Sequence, residues 1–581
     1  MNIPLKQYWD LLTDYLTPQW RRVALLVLLL LGNIGLQLWS PQILRTFIDT
    51  ATSGSDSRRL PLLAVYFIAA ALVTQFCAAS ARYVGEDVGW TATNWLRADL
   101  ASHCLRLDLS FHKSRTPGEI IERIDGDVNL LSGFFSQASI DLVGNMLLMS
   151  GVLVLLFRED WRIGLAMAAF AAVSLVILMA IRNIAVPWWK KERQLMGEYY
   201  GFVGEQLSGT EDVRSSGAVP YVLRRMAEFH RTQLRIRMRS ALGWYTLWWT
   251  TLLVFALGNA LAFAVGFLLY RRGLITIGTV YLIFHYTELL RRPMEQIRTQ
   301  LQELQRATAS IARVRELLAT QSRIRDGEGA ALPAGPLHVD FDNVSFAYEG
   351  DELVLQNIDF RLQPGRVLGL LGRTGSGKSS LARLLLRLYD PTAGQILLGG
   401  VPAAAALLKD LRRHVGIVTQ DVQLFEATVR NNLTFFDGSI PDERITTVLD
   451  DLGLGPWLRS LPHGLDTELE SGGSGLSAGE AQLLAFARLF LADPGLVILD
   501  EASSRLDPAT EALIERAVEK LLAGRTGVII AHRLGTVQRA DEILILEDGR
   551  ILEHGERAAL AADPSSRFHR LLQTGLEEVL A

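Results

Sequence analysis

Long apolar runs in the first half of the chain have roughly the length of a membrane helix, about 20 residues. Beyond them, short apolar runs alternate with polar segments, which is typical of a soluble α/β domain. The long runs are Val23–Ile43, Leu60–Ala79, Ile140–Phe157, Ile163–Ile181, Leu247–Leu269 and Leu274–Leu290. The pattern therefore predicts an all-α membrane domain of six helices followed by an α/β domain.

The connections between these runs differ in length. Three are short, and two are long with helical periodicity and scattered charges, which suits helices that extend well beyond the bilayer. A break interrupts each long connection, at Phe111–Glu119 and at Glu205–Arg214. A short helix bounded by breaks is well placed to dock on a partner domain, and an ordinary polar turn explains the same pattern equally well.

The charges of the connections bear on orientation. Arginine and lysine concentrate in the long connections, as the positive-inside rule expects, but the short loops also contain arginines, among them Arg58, Arg59, Arg271 and Arg272. An even number of spans places both termini, and with them the second domain, on one side of the membrane. We expect a multi-pass protein of the cell (inner) membrane, embedded in the lipid bilayer, with both termini cytoplasmic.

Some polar and aromatic residues of the spans have two interpretations. Glu288 lies in the sixth run, close to Arg291 and Arg292. We favour an ion pair that holds helices together over a role in a cargo cavity, although an ionisable group inside a membrane suits either. For most of six tryptophans we favour interface anchoring over stacking on aromatic cargo. These are Trp39, Trp188, Trp189, Trp244, Trp248 and Trp249.

Composition narrows the function classes. The chain has 581 residues, a net charge of −4 and 49% hydrophobic residues, so it resembles neither a nucleic-acid-binding nor a disordered protein. Its two cysteines form no disulfide framework and no metal-binding spacing. The Gly/Pro/Ala-rich segment Asp326–Pro336 marks a boundary. We predict a transmembrane domain over residues 1–325, a linker over 326–336 and a second domain over 337–581.

The strongest chemical signal is a glycine-rich loop between an apolar strand and a helix. It consists of Gly372, Arg373, Thr374, Gly375, Ser376, Gly377, Lys378 and Ser379, and Ser380 follows it. Glycines let successive backbone N–H groups curl around a polyphosphate, and the helix N-terminus adds its positive dipole end. Lys378 can reach the β- and γ-phosphates, and the Ser379 hydroxyl can bind Mg²⁺. The loop predicts an ATP site.

Further polar residues end the apolar strands that follow. Gln420 ends one strand, Asp500 and Glu501 end the next, and His532 ends a third. In open α/β sheets, ligands bind at the carboxyl ends of the strands. We expect Asp500 to hold Mg²⁺, Glu501 to orient or deprotonate an attacking water, and His532 to contact the γ-phosphate. Tyr348 follows an earlier strand and is able to stack on adenine, although a lone tyrosine is usually a packing residue.

With these motifs the chain resembles a type IV ATP-binding cassette (ABC) exporter half-transporter, in which six membrane helices are fused to one nucleotide-binding domain. The resemblance implies that Tyr348 stacks on adenine, that Gln420 contacts Mg²⁺ and water, and that Glu501 is the catalytic glutamate. It makes His532 the switch histidine and Ser504–Asp507 the D-loop. The two breaks become the coupling helices that transmit force between domains.

One motif departs from the family. The signature Leu-Ser-Gly-Gly-Gln, whose Ser477 and Gly479 positions contact the nucleotide of the opposite cassette, here reads Leu476-Ser477-Ala478-Gly479-Glu480. Ala478 adds a methyl group where backbone approaches phosphate, and Glu480 brings a negative charge near an anion. We therefore favour a heterodimer, in which a non-identical half-transporter has an intact signature and an altered catalytic glutamate. A homodimer with a tolerant signature is the alternative.

The resemblance implies ATP hydrolysis coupled to export of a drug-like, lipid or peptide substrate by alternating access. An importer, a lipid flippase or an ATP-gated channel of the same architecture remain alternatives. Coupled cleavage of a peptide leader is not expected, since no peptidase-like extension precedes the first span. The sequence does not identify the substrate.

Overall fold

The computed structural model describes residues 10, 13–54, 57–133, 139–348, 350, 352–473, 475–500, 508–531 and 537–574. The chain divides into two compact units. The first comprises Met1–Leu105 and Pro117–Thr320, and the second comprises Arg106–Thr116 and Gln321–Ala581. The predicted transmembrane domain over residues 1–325 includes residues 106–116, which lie in the second unit; docking on another domain was one of the two interpretations of the break at Phe111–Glu119. The domain limits at residues 325 and 336 stay a prediction.

Ten α-helices are described before residue 320. In chain order, α1 to α10 are Trp20–Ser53, Leu60–Arg106, Leu109–Ser114, Pro117–Ile121, Asp127–Gly133, Ser139–Glu159, Trp161–Ser208, Thr210–Ser215, Val219–Arg271 and Ile277–Ala319. A π-helical turn, Glu122–Gly126, joins α4 to α5. The first five predicted spans each fall within one long helix, and the sixth, Leu274–Leu290, begins three residues before α10. The two predicted breaks overlap the short helices α3 and α8.

Five of the described helices are long and apolar enough to cross a membrane, by length and composition. Four of these segments lie on α1, α2, α7 and α9, and the fifth is Asp141–Glu159 on α6. The sixth predicted span lies on α10 and is not among them, so its crossing stays a prediction.

The position of α10 in the first unit explains its lower hydropathy. Tyr286, Leu290 and Met294 of α10 are completely buried among side chains of α1, α6, α7 and α9. The Tyr286 hydroxyl donates to the Leu38 carbonyl at 2.8 Å and accepts from Gln42 at 3.2 Å. A helix surrounded by other helices does not need an apolar surface toward lipid, so it tolerates polar residues on the side that faces a cavity.

The second unit contains two large sheets and one small one. Strands β1 to β12 are Val339–Phe346, Leu355–Leu362, Val367–Gly372, Ala393–Leu398, Val401–Pro402, Val415–Val418, Ala427–Thr428, Glu468–Leu469, Leu496–Asp500, Thr526–Ile530, Glu542–Glu547 and Arg550–Glu556. The antiparallel sheet has the order β2-β1-β4-β5, and the six-stranded sheet has the order β12-β11-β3-β10-β9-β6, with β7 and β8 forming a separate pair. Strands β11, β3, β10, β9 and β6 are parallel neighbours.

Helices cover the six-stranded sheet, as a parallel sheet requires. Helices α11 to α19 are Lys378–Leu385, Leu408–His414, Val429–Thr434, Asp442–Asp451, Gly455–Ser460, Ala478–Ala492, Pro508–Leu522, Arg557–Ala562 and Arg567–Thr574. One buried cluster packs β9 and β10 against α16 and α17, and a second packs α11 between the two large sheets. The sheet with its helices is an α/β fold, as the sequence predicts.

The predicted linker is attached to the second unit by backbone hydrogen bonds. The N–H groups of Gly329 and Ala330 both donate to the Ala405 carbonyl at 3.1 Å. The Asp326 carboxylate accepts from the Leu408 N–H at 2.7 Å, and Leu332 is buried in the second cluster. The segment is thus packed against the fold, which its Gly/Pro/Ala composition did not indicate.

Candidate nucleotide site

The glycine-rich loop runs from the end of β3 to the start of α11, as the sequence predicts. Its glycines adopt backbone angles that favour glycine: φ is +86° at Gly375 and +105° at Gly377. A Cβ added at Gly377 would lie 2.6 Å from the Leu355 side chain, whereas one at Gly375 would meet nothing within 4 Å. The loop therefore needs glycine at position 377 for space as well as for conformation.

Two side chains of the loop, those of Lys378 and Ser376, are buried. Lys378 is 6% exposed, and its ammonium donates to the carbonyls of Gly372 at 2.6 Å and Arg373 at 3.0 Å. The buried Ser376 hydroxyl has no hydrogen-bond partner among the described residues. A buried lysine, an unsatisfied hydroxyl and an open glycine turn at a helix N-terminus together fit a polyphosphate. ATP would be held here by Lys378 and the loop N–H groups.

Parallel registers bring the predicted strand ends to one edge of the sheet. Leu370 of β3 is opposite Ile530 of β10, and Ile530 is opposite Asp500 of β9. Leu499 of β9 is in turn opposite Val418 of β6. Gln420 follows β6 by two residues and has an exposed side chain, and Asp500 is half-buried. The loop, Asp500 and Gln420 thus share the edge where ligands bind in such sheets.

Two predicted catalytic residues, Glu501 and His532, lie outside the described residues, as does the Ser504–Asp507 segment. Their neighbours in sequence are described. Asp500 ends β9, and Ala531 directly follows β10 with its N–H donating to the Leu370 carbonyl at 3.2 Å. The roles of Glu501 and His532 stay predictions.

The predicted Mg²⁺ ligands lie on different elements of the second unit, and each would bind the ion through an oxygen atom. Ser379 is exposed at the start of α11 and Asp500 ends β9. Among the described residues, no cluster of three histidine, cysteine, aspartate or glutamate side chains could hold a metal by itself. Mg²⁺ is usually bound by one or two protein oxygens together with substrate phosphates and water. The donors at this edge of the sheet suit that arrangement.

Tyr348 lies beside the phosphate loop. Its hydroxyl is 2.8 Å from the Ser380 hydroxyl and accepts from the Arg383 guanidinium at 2.7 Å. Its ring packs perpendicular to Phe346 and Tyr389 at 4.8 and 5.0 Å. The ring of Tyr348 is therefore fixed next to the nucleotide loop, which is where an adenine-stacking residue would have to lie.

The altered signature forms a capping box at the start of α16. The Glu480 carboxylate accepts from both the N–H and the hydroxyl of Ser477 at 2.8 Å, and the Ser477 hydroxyl accepts from the Glu480 N–H at 3.2 Å. Gly479 is buried in the first turn of the helix, and Ala478 is exposed. The polar groups of Ser477 that would contact a phosphate are thus bound to a carboxylate in this chain.

The first unit contains a polar cavity of about 670 Å³. It is lined by charged or titratable side chains, by amides and by a few apolar residues. Its charged and titratable residues are Asp141, His285, Glu288, Arg291, Arg292 and Glu295, and its amides are Asn33, Gln37, Asn145 and Gln296. One amide oxygen, that of Asn33, is buried without a hydrogen-bond partner among the described residues.

The contacts of Glu288 differ from the ion pair with an arginine that we favoured from the sequence. Its carboxylate accepts a hydrogen bond from the Asn259 amide on α9, and Arg291 pairs with Glu295 one turn further along α10 at 3.4 Å. No ion pair between Glu288 and an arginine occurs among the described residues. Glu288 does link two helices, but an amide is its partner, since the arginine side chains lie further along α10.

The helices and the site together define a membrane protein with a fused P-loop ATPase domain. The family model described as the ABC transporter transmembrane region matches residues 23–294, and the ABC transporter model matches residues 355–504. The chain belongs to the ABC transporter family, with an ABC transmembrane region fused to an ABC ATPase cassette. The resemblance and the fold class inferred from the sequence are confirmed.

Several relatives are similar over most of their length. An ATP-dependent lipid A-core flippase of Pseudomonas fluorescens is 34% identical over 83% of this chain and 80% of the relative. The probable multidrug resistance ABC transporter YheH of Bacillus subtilis is 32% identical, over 80% of this chain and 70% of the relative. A bacterial Atm1-family ABC exporter solved with ATP bound superposes with a TM-score of 0.79 at 26% identity, covering 95% of this chain and 98% of the other.

Sequence reasoning missed three features of the site. The Lys113 ammonium lies over the Tyr348 ring, Arg383 binds the Tyr348 hydroxyl, and Glu480 engages Ser477. The first joins segments far apart in sequence, so no local pattern indicates it. The third was detectable, because Ser followed three residues later by Glu before an apolar run is the pattern of a capping box.

Proposed function

We propose that this chain is one half of an ATP-driven exporter that moves its cargo by alternating access. The observation that carries the proposal is a loop suited to a polyphosphate, with Gly377 at φ +105° and a buried Lys378. The same chain contains helices that are long and apolar enough to cross a membrane. ABC exporters work as dimers and transport substrates in a membrane. In proteoliposomes, uphill cargo movement that requires ATP would support the proposal, and ATP-dependent conductance without accumulation would refute it.

For hydrolysis, we propose that Glu501 orients or deprotonates the attacking water and that His532 contacts the γ-phosphate. Mg²⁺ would be held by Ser379 and Asp500, with Gln420 contacting the ion and the water. The register that places Asp500 beside β10 and β6 supports this assignment. Glu501→Gln should reduce hydrolysis by roughly 10²–10⁴, the contribution of general-base catalysis, while ATP binding persists. Hydrolysis near the unmutated rate would exclude this role for Glu501.

We infer further that the partner is a second, non-identical half-transporter. In such a dimer, the partner's intact signature would complete the site built on this chain's Lys378. The Glu480 capping box supports this arrangement, since a carboxylate already occupies the donors of Ser477. Measuring ATPase activity of the chain purified without a partner tests it. A fully active assembly of identical copies would overturn the heterodimer.

The ATPase domain also bears on orientation. ATP is a cytosolic substrate, so a chain whose ATPase domain follows an even number of spans would have both termini in the cytoplasm, in the inner membrane. Labelling a single cysteine near each terminus in intact cells tests the topology, in a background lacking the two native cysteines, Cys77 and Cys104. Reaction with a membrane-impermeant reagent at either terminus would refute it.

We propose that the cavity beside α10 admits cargo that is amphipathic, a property common to drug-like and lipid molecules. Its lining combines acids, arginines and amides with apolar residues such as Leu30, Ile34 and Leu148. Glu288→Gln keeps an acceptor for the Asn259 amide and removes the charge, so folding should persist while cargo preference changes. Unchanged stimulation of the ATPase by cationic, anionic and neutral amphiphiles would exclude a cargo role for Glu288.

A further inference from the structure

A lysine of the first long connection between the predicted spans lies over the ring of Tyr348. Lys113 is on α3, within the 106–116 segment that belongs to the same compact unit as the ATPase fold. Its ammonium nitrogen is 4.9 Å from the centroid of the Tyr348 ring and 5.9 Å from that of Tyr389. Both distances are within the range of a cation–π interaction. A residue outside the nucleotide-binding sequence motifs therefore contacts the aromatic ring of the nucleotide site.

Other side chains also contact that ring. Phe346 and Tyr389 lie nearly perpendicular to it at 4.8 and 5.0 Å, and its hydroxyl is bound by Ser380 and Arg383. An adenine base needs a ring face at stacking distance, and an ammonium over the same face excludes it. Stacking of a base on an aromatic ring is stronger than an exposed cation–π contact, so a base is able to displace the lysine.

Helix α3 is attached to the ATPase unit by contacts that do not involve the nucleotide. The Asp108 carboxylate caps α3 by accepting from the Ser110 N–H at 3.0 Å, and it also accepts from the Arg323 N–H at 2.6 Å. Leu109 packs against the buried cluster around the antiparallel sheet. The helix can therefore stay docked while the exposed Lys113 side chain changes partner, because the helix is anchored at its opposite end.

We propose that Lys113 is a positioning residue that competes with the nucleotide base for the face of Tyr348. Base binding then releases the ammonium of α3, and a lysine held on the ring weakens base binding by the same factor, because linkage is reciprocal. The inference rests on the proposed nucleotide site, with Tyr348 as the residue that stacks on the base. Through Lys113, α3 responds to the base of the nucleotide and not to its phosphates.

The test compares nucleotide affinity in full-length variants in nanodiscs, with Mg²⁺ and a fluorescent ATP analogue displaced by ATP or by tripolyphosphate. Lys113→Met keeps the length of the side chain and removes its charge, and Lys113→Arg is the control that keeps a cation. We expect Lys113→Met to bind ATP about two- to five-fold more tightly, the ratio that corresponds to an exposed cation–π contact, and Lys113→Arg to match the unmutated chain. Tripolyphosphate lacks a base, so its affinity should not increase.

The direction in which Lys113→Met changes the affinity for ATP distinguishes the proposal from a simple electrostatic effect. Loss of a positive charge near an anionic ligand should weaken binding, so weaker or unchanged ATP binding by Lys113→Met would overturn the competition. In a Tyr348→Leu background, Lys113→Met should have no effect, and a full effect there would also overturn it. If Tyr348→Leu by itself does not weaken ATP binding, then the proposed base site is wrong. If Tyr348→Leu does weaken ATP binding but Lys113→Met does not strengthen it, the base site stands and only the role of Lys113 is wrong.

Discussion

Replacing Glu480 by glutamine removes one negative charge from the signature and keeps its local geometry. The Glu480 carboxylate accepts two hydrogen bonds from Ser477 at 2.8 Å, and a glutamine carbonyl can accept the same bonds. The substitution therefore isolates the effect of charge on a phosphate that a partner cassette would present to this segment. If the charge is what weakens the signature, the variant should regain binding to that phosphate.

The magnitude follows from Coulomb's law. Two unit charges about 5 Å apart repel by about 3 kcal/mol at an effective dielectric constant of about 20, and by about 0.8 kcal/mol in bulk water. Since Glu480 is half-buried, we expect a gain between these values, equivalent to roughly 4- to 150-fold in the equilibrium constant for closing two cassettes around ATP. Loss of a carboxylate from the first turn of α16 should cost at most about 1 kcal/mol of stability.

The assay is the Mg²⁺-dependent ATPase activity of the chain purified without a partner, measured for Glu480→Gln and for a matched control. Glu443→Gln is that control, because Glu443 is an exposed carboxylate in the first turn of a different helix, α14. We expect activity to rise at least several-fold in Glu480→Gln and to stay unchanged in Glu443→Gln, with nearly equal melting temperatures. Equal activity in both variants would show that the charge of Glu480 does not limit phosphate binding by the signature segment.

Two further substitutions test the phosphate loop and the anchor of α3. Gly377→Ala should abolish binding of a fluorescent ATP analogue, because alanine at φ +105° is strained and its Cβ would lie 2.6 Å from Leu355, whereas Gly438→Ala, at an open position, should bind normally. Burial raises the pKa of Asp108, but hydrogen bonds from the Arg323 and Phe111 N–H groups and from serine side chains outweigh it and leave the pKa below its ordinary value. The stabilisation by this carboxylate is therefore fully present above the unfolded pKa of about 3.9 and is lost as the pH falls through the lowered folded pKa. Asp108→Asn should lower the melting temperature at pH 7, and the difference from the unmutated chain should stay constant down to pH 5; a difference that vanishes by pH 5 would contradict the lowered pKa.

Local patterns predicted most of the elements, because the physical causes of those elements are local. Five of the six apolar runs fall within one helix and the sixth starts three residues before its helix, while the two breaks overlap α3 and α8. The glycine spacing predicted the strand-loop-helix unit, and the polar residues that end successive apolar strands predicted a ligand site at the strand ends of an α/β domain. Each of these features depends on neighbours within a few residues, so one sequence is sufficient to specify them.

Contacts between distant segments could not be predicted in the same way. Arg291 follows Glu288 closely in sequence, yet Glu288 bonds to Asn259 on α9. The choice between these partners depends on which helix packs against α10. Similarly, the attachment of residues 106–116 to the ATPase unit depends on Asp108 meeting the Arg323 N–H, more than two hundred residues later.

The two ends of α3 have different physical characters, and that difference matters for coupling. At its start, a charge-assisted hydrogen bond of 2.6 Å joins Asp108 to the backbone that precedes the ATPase fold. At its end, an exposed lysine rests on an aromatic ring at 4.9 Å, a weaker contact that salt screens. A helix with a strong anchor and a weak contact can report on the nucleotide without detaching. A nucleotide signal passing through α3 should therefore depend on Lys113, whereas the docking of α3 should depend on Asp108, so the two substitutions should affect different measurements.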